Sequence, residues 1–197
     1  MNVVWPVCAL FGGPILLLLY ARHGRAAPSQ AGHGGHETPF RYAVANGTLH
    51  CGSGCTLGDI VAEWLVFAAP VVAVWFGWHS LFGARIFAVW AVDYVFAYAF
   101  GIVFQYFTIA PMRNLSLGRG IIAAGKADTL SLTAWQIGMY GFMVFANFVI
   151  FRDWIGARLQ TNTAVFWFMM QIAMLCGFAT AYPVNWWLLR AGIKEPM

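Results

Sequence analysis

Charge is what this chain has least of. It carries 11 Lys and Arg and 7 Asp and Glu in 197 residues, so 9% of the chain is charged against 61% apolar. Soluble domains carry about a quarter charged residues. The shortage excludes a soluble enzyme domain and a disordered tail. Four cysteines are too few for a disulfide-rich secreted module. There is no phosphate-binding loop, dinucleotide fingerprint, HExxH or GxSxG, so no nucleotide and no catalytic residue are assigned. The formal charge of +4 comes from basic residues dispersed singly rather than clustered, which argues against nucleic acid as a partner.

What the chain has instead is apolar length. Its mean hydropathy is +0.69, and 17 Phe, 10 Trp and 7 Tyr suit a bilayer and its interfaces. A spanning helix needs about 20 apolar residues. Five stretches qualify: residues 3–21, 60–78, 86–109, 130–151 and 164–189. The expected fold class is therefore all-α, a polytopic transmembrane helix bundle of five spans, with a four-helix core and an N-terminal helix. Pro6, Pro14, Pro70 and Pro183 fall within these stretches, and spanning helices tolerate proline when neighbours satisfy the freed carbonyls. Residues 3–21 lack a basic N-terminal flank and are followed by Arg22 and Arg25. That pattern is read as an uncleaved helix rather than a secretory signal.

The expected organisation is a transmembrane helix over 1–21, a His/Gly/Cys-rich loop over 22–55 and the four-helix core over 56–197. With five spans, Arg22, Arg25, Arg41, Arg113, Arg119, Lys126, Arg190 and Lys194 share one side, against Arg85, Arg152 and Arg158 on the other. The positive-inside bias puts the larger set, and the C-terminus, in the cytoplasm and the N-terminus outside.

The sharpest local feature is HCGSGCTLGD, residues 50–59. Thr56 reads as an N-cap, so that the second helix starts just after Cys55 and the positive end of its dipole favours a thiolate there. His50, Cys51 and Cys55 then form a donor set for a soft or borderline ion such as Cu(I) or Zn(II). His33 and His36, in a Gly-His segment, add loose capture sites. The rival reading is a glycine-rich turn with incidental thiols, or a disulfide. Inside the spans, Asp93 stands out, because an ionisable group there is costly and faces a polar path or the bundle interior. A buried hydrogen bond, or an ion pair with Arg85 or His79, is its rival explanation. Asp59 and Glu63 lie four apart on one helix face. Gln136, Met139 and Met143 follow at helical steps, as do Met170 and Met174. Thioethers bind Cu(I) without losing a proton, although methionine stripes also serve as packing.

The strings HCGSGCTLGDIVAEW (50–64), QYFTIAPMR (105–113), KADTLSLTAWQIGMYG (126–141) and AYPVNWWLLRAGIKEPM (181–197) resemble a family of small bacterial integral-membrane proteins, domain of unknown function 4396. The resemblance covers about residues 45–197. It implies the four-helix core and a bacterial inner membrane, and it transfers no mechanism or site residue. The expectation is a multi-pass protein that transports or handles a soft transition-metal ion, Cu(I) first. The ion would be captured by the His/Cys loop and passed along Asp59, Glu63, Asp93, Gln136 and the methionines. Copper or zinc is the expected ion, and the bilayer, a homo-oligomer or another membrane protein the expected partners. A membrane thiol–disulfide redox protein and a non-catalytic assembly subunit are the alternatives.

Overall fold

A computed structural model describes residues 3–21, 39–113 and 116–194. These residues are almost wholly helical: α1 (Val4–Leu19), α2 (Phe40–Ala68), the short α3 (Val71–Trp75), α4 (Arg85–Arg113), α5 (Leu117–Val144) with a π-helical continuation (Phe145–Ile155), and α6 (Ala164–Arg190). The all-α expectation holds. The five-span expectation holds only in part. Among the described residues, three helices are long and apolar enough to cross a membrane, over Arg85–Phe107, Asp128–Ile155 and Ala164–Arg190, and Val4–Leu18 is a shorter apolar helix.

The second helix differs most from expectation. It starts at Phe40, not Thr56, and ends at Ala68, not Trp78. Its end has a local cause. Pro70 cannot supply the N–H for the carbonyl of Val66 and disfavours helical geometry in the residue before it. Ala69 accordingly leaves the helix at φ −130°, ψ 80°. The start is a matter of tertiary packing. At 29 residues, α2 is about 44 Å long, yet it is too polar to count among the apolar spans. It is enclosed by α1, α4, α5 and α6, and a helix covered by protein needs no lipid-compatible surface. Its glycines are contact points rather than loop breakers. A methyl group on Gly54 would lie 2.9 Å from the Gly101 backbone of α4, and one on Gly58 would strike the backbone of Ala97. Small residues of this kind let helix backbones approach closely.

Two prolines show how the bundle settles freed carbonyls. Pro14 follows a kink at Gly13 (φ 45°, ψ −130°) in α1 and leaves the Leu10 carbonyl without its helical donor. Gln171 Nε2 of α6 donates to that oxygen at 3.0 Å. Pro70 orphans the Val66 carbonyl, and Arg85 Nη2 donates to it at 2.7 Å. Elsewhere tyrosine hydroxyls clasp α4 to α5: Tyr94 to Thr133 at 2.9 Å and Tyr98 to Thr129 at 3.1 Å, while Tyr140 donates to the Trp90 carbonyl at 2.9 Å.

The bundle is inside-out relative to a soluble protein. Ile137, Phe107 and Trp187 are exposed by 66%, 71% and 55%, while Asp59, Glu63, Asp93 and Asp128 are buried. Of the five acidic side chains among the described residues, only Asp153 lies outside.

Candidate functional site

Because α2 is continuous from Phe40 to Ala68, the features placed in a loop by the sequence reading lie on one helix instead. Cys51, Cys55, Asp59 and Glu63 follow one another at four-residue steps and are all buried. Residues at this spacing share a face, and the row extends about 18 Å along the axis. Two expectations are thereby corrected. Thr56 is not an N-cap; its hydroxyl donates to the Gly52 carbonyl at 2.7 Å within the helix. Cys55 is not at a helix start, so the dipole argument for a thiolate there lapses.

The row has two ends. At the Cys51 end, the thiol lies against Cys55 and against the Asp128 carboxylate of α5. Cys8 of α1 donates to the neighbouring Leu49 carbonyl at 3.2 Å. The described cysteines are free thiols. His50 packs edge-on against Phe104, ring centroids 6.1 Å apart, and engages the Phe104 backbone. At the other end, Glu63 accepts a hydrogen bond of 2.8 Å from Thr161, in the connection before α6. Trp167 Nε1 holds the Thr161 carbonyl at 2.8 Å and stacks on Trp64, which braces that connection against α2.

Between the ends is an acidic cluster. Asp59, Glu63 and Asp93 are near enough for their charges to act on one another. Neither oxygen of Asp59 is hydrogen-bonded, and Oδ1 of Asp93 has no partner either. Asp59 faces the Gln136 side chain without a hydrogen bond of good geometry. The Arg85 guanidinium, expected as a rival partner of Asp93, is committed to the Val66 carbonyl, and its charge bears on Glu63. A buried polar group without a partner is expensive, and a buried carboxylate more so.

Asp59 also lines a cavity of about 210 Å³ among α1, α2 and α6, together with Thr56, Met170 and Met174. The structure thus brings three of the expected path residues, Asp59, Met170 and Met174, to one space. Met139 and Met143, 1% exposed, are instead packed in the main core beside Trp135. His33 and His36 lie outside the described residues. Among the described residues, no three His, Cys, Asp or Glu side chains gather as a metal-holding group, so His50, Cys51 and Cys55 do not form one.

Sequence reasoning missed a second buried polar centre. Lys194, counted as a cytoplasmic topology marker, has a fully buried side chain 3.8 Å from Asp128. Its Nζ donates to Asn185 Oδ1 at 2.9 Å and to the Gly47 carbonyl at 3.3 Å, and Asn185 Nδ2 donates to Ser131 at 2.6 Å. Asn185, an amide within the apolar run of α6, was the one available signal.

Apolar side chains turned outward, three helices of spanning length and carboxylates enclosed at the centre define a membrane-type helix bundle. Within that class, a family model matches residues 42–194, and the chain belongs to the family described as Domain of unknown function (DUF4396). That match takes in α2 to α6 and leaves α1 outside. No curated protein and no solved structure matches the chain.

Proposed function

We propose that this protein transports or handles a soft transition-metal cation, Cu(I), in the bacterial inner membrane, with its N-terminus outside and its C-terminus cytoplasmic. The observation that carries this reading is the buried row Cys51–Cys55–Asp59–Glu63, flanked by Asp93 and Gln136. Three mutually repelling carboxyl groups stand in a low-dielectric interior with open oxygens on Asp59 and Asp93. Buried charge persists at such a place when it is paired or neutralised, and a passing cation meets that need. Thiols at one end of the row suit a soft ion. The chain has no ATP-binding motif, so movement would be passive, proton-coupled or driven by a partner.

The test is flux. Protein reconstituted in liposomes with an internal Cu(I) indicator should admit Cu(I) faster than protein-free vesicles. Asp93→Asn should bring the rate down toward that of the empty vesicles. A wild-type rate equal to the empty-vesicle rate would sink the transport reading.

A further inference from the structure

The cavity that reaches Asp59 differs from the rest of the bundle interior in what lines it. Its lining passes from exposed Leu10 and Gln171 to buried Met170, Met174, Thr56 and Asp59. Met170 and Met174 lie four apart on α6 and so share a face, each 4% exposed. Asp59 approaches from α2, fully buried, with both carboxylate oxygens unpartnered. A space of about 210 Å³ is ample for an ion and several waters, since one water needs about 10–15 Å³. Beside the Asp59 carboxylate, the lining presents the thioether sulfurs of Met170 and Met174 as donors.

We infer that Asp59, Met170 and Met174 form a binding site for a soft monovalent cation, at the floor of the cavity between α1, α2 and α6. This rests on the proposed handling of a soft metal and moves the holding point from the His/Cys segment to α6. Each part has a reason. Two neutral thioethers select a soft ion over Zn(II), Mg(II) or Ca(II), which prefer nitrogen, thiolate or oxygen donors. Asp59 is the carboxylate that the cavity lining presents, and its single charge matches a monovalent ion.

The experiment is a titration of the purified, full-length protein in detergent with Ag(I), a redox-inert soft monovalent probe, in competition with a chelator. The wild type should bind one Ag(I) per chain. Met170→Leu with Met174→Leu conserves volume and should weaken binding by at least about 100-fold, since even outer-shell changes cost about 10–100-fold. Cys51→Ser with Cys55→Ser should weaken binding far less than the Met170/Met174 change does, because those thiols lie outside the cavity lining. Met139→Leu with Met143→Leu, in the packed core, controls for general loosening and should bind as the wild type does. If the Met170/Met174 pair binds normally while the cysteine pair loses the ion, this site is wrong and the soft-metal reading survives. If both methionine pairs lose it equally, the effect is packing and the site is wrong. If the wild type binds no Ag(I), the site and the soft-metal reading fall together.

Discussion

Two polar centres lie inside the same bundle, and they are built on opposite principles. Around Asp128 the acid has a counter-charge, Lys194, and the lysine's other donors reach Asn185 and the Gly47 carbonyl. Around Asp59 there are three acids, and Arg85, whose charge bears on Glu63, donates to a backbone carbonyl instead. The first centre is charge-balanced, with Asp128 Oδ1 facing the lysine at ion-pair distance but without a hydrogen bond, and it ties the turn after α6 back to α2 and α5. The second leaves oxygens open toward a cavity. A buried charge paired with its opposite holds elements together, whereas an unpaired one is costly until something neutralises it. The difference separates a staple from a place where a ligand belongs.

The largest expected effect comes from breaking the staple. Lys194→Met leaves Asp128 buried without its counter-charge and should cost about 3–5 kcal/mol of stability, the usual penalty for removing one member of a buried pair. Adding Asp128→Asn should recover most of the loss, because the orphaned charge is then gone. Unfolding in detergent, followed by tryptophan fluorescence, measures both. Equal instability of the single and double variants would show that the pair is not the source of the strength.

Neither centre was fully legible in the sequence, for different reasons. Asp93 declared itself, since a carboxylate amid α4's apolar run is costly and stands out, and α6 was readable almost to its ends because its run is long and its start follows a polar turn. Asp128 and Lys194 sit near the ends of apolar runs, where charge ordinarily reports topology. Their pairing across 66 positions exists only once α5 and α6 are packed. The start of α2 failed for a related reason. Gly47, Gly52 and Gly54 read locally as loop, and the justification for the last two, the Trp135 ring of α5 against Gly52 and the Gly101 backbone of α4 against Gly54, is a tertiary fact. The four-step row of Cys51, Cys55, Asp59 and Glu63 was hidden by that one boundary.

A smaller effect is expected at the edge of the open centre. Thr161→Val removes the hydroxyl that donates to Glu63 at 2.8 Å while keeping the shape of the side chain. Loss of one hydrogen bond to a buried acceptor should cost about 1–2 kcal/mol, well below the Lys194 effect, in the same unfolding measurement. A loss as large as that of Lys194→Met would mean that Glu63 belongs to a structural staple as well, and the contrast between the two centres would blur.

The smallest effect on stability, and the one that most sharpens the contrast, is expected from Asp59→Asn. Removing a charge normally hurts when the charge is partnered, because the partner is then left behind. Asp59 has no cationic partner to strand and no hydrogen bond to lose, and its neighbours Glu63 and Asp93 repel it when it is ionised. The amide has the same shape and can donate to a neighbouring carboxylate, which the charged form cannot do. Stability should therefore stay within about 1 kcal/mol of the wild type, or rise, given that relieving an uncompensated buried charge is favourable. Cation binding should be lost in the same variant. A destabilisation of several kcal/mol would show that Asp59 already has a structural partner, and the cavity beside it would then be a packing defect rather than a binding site.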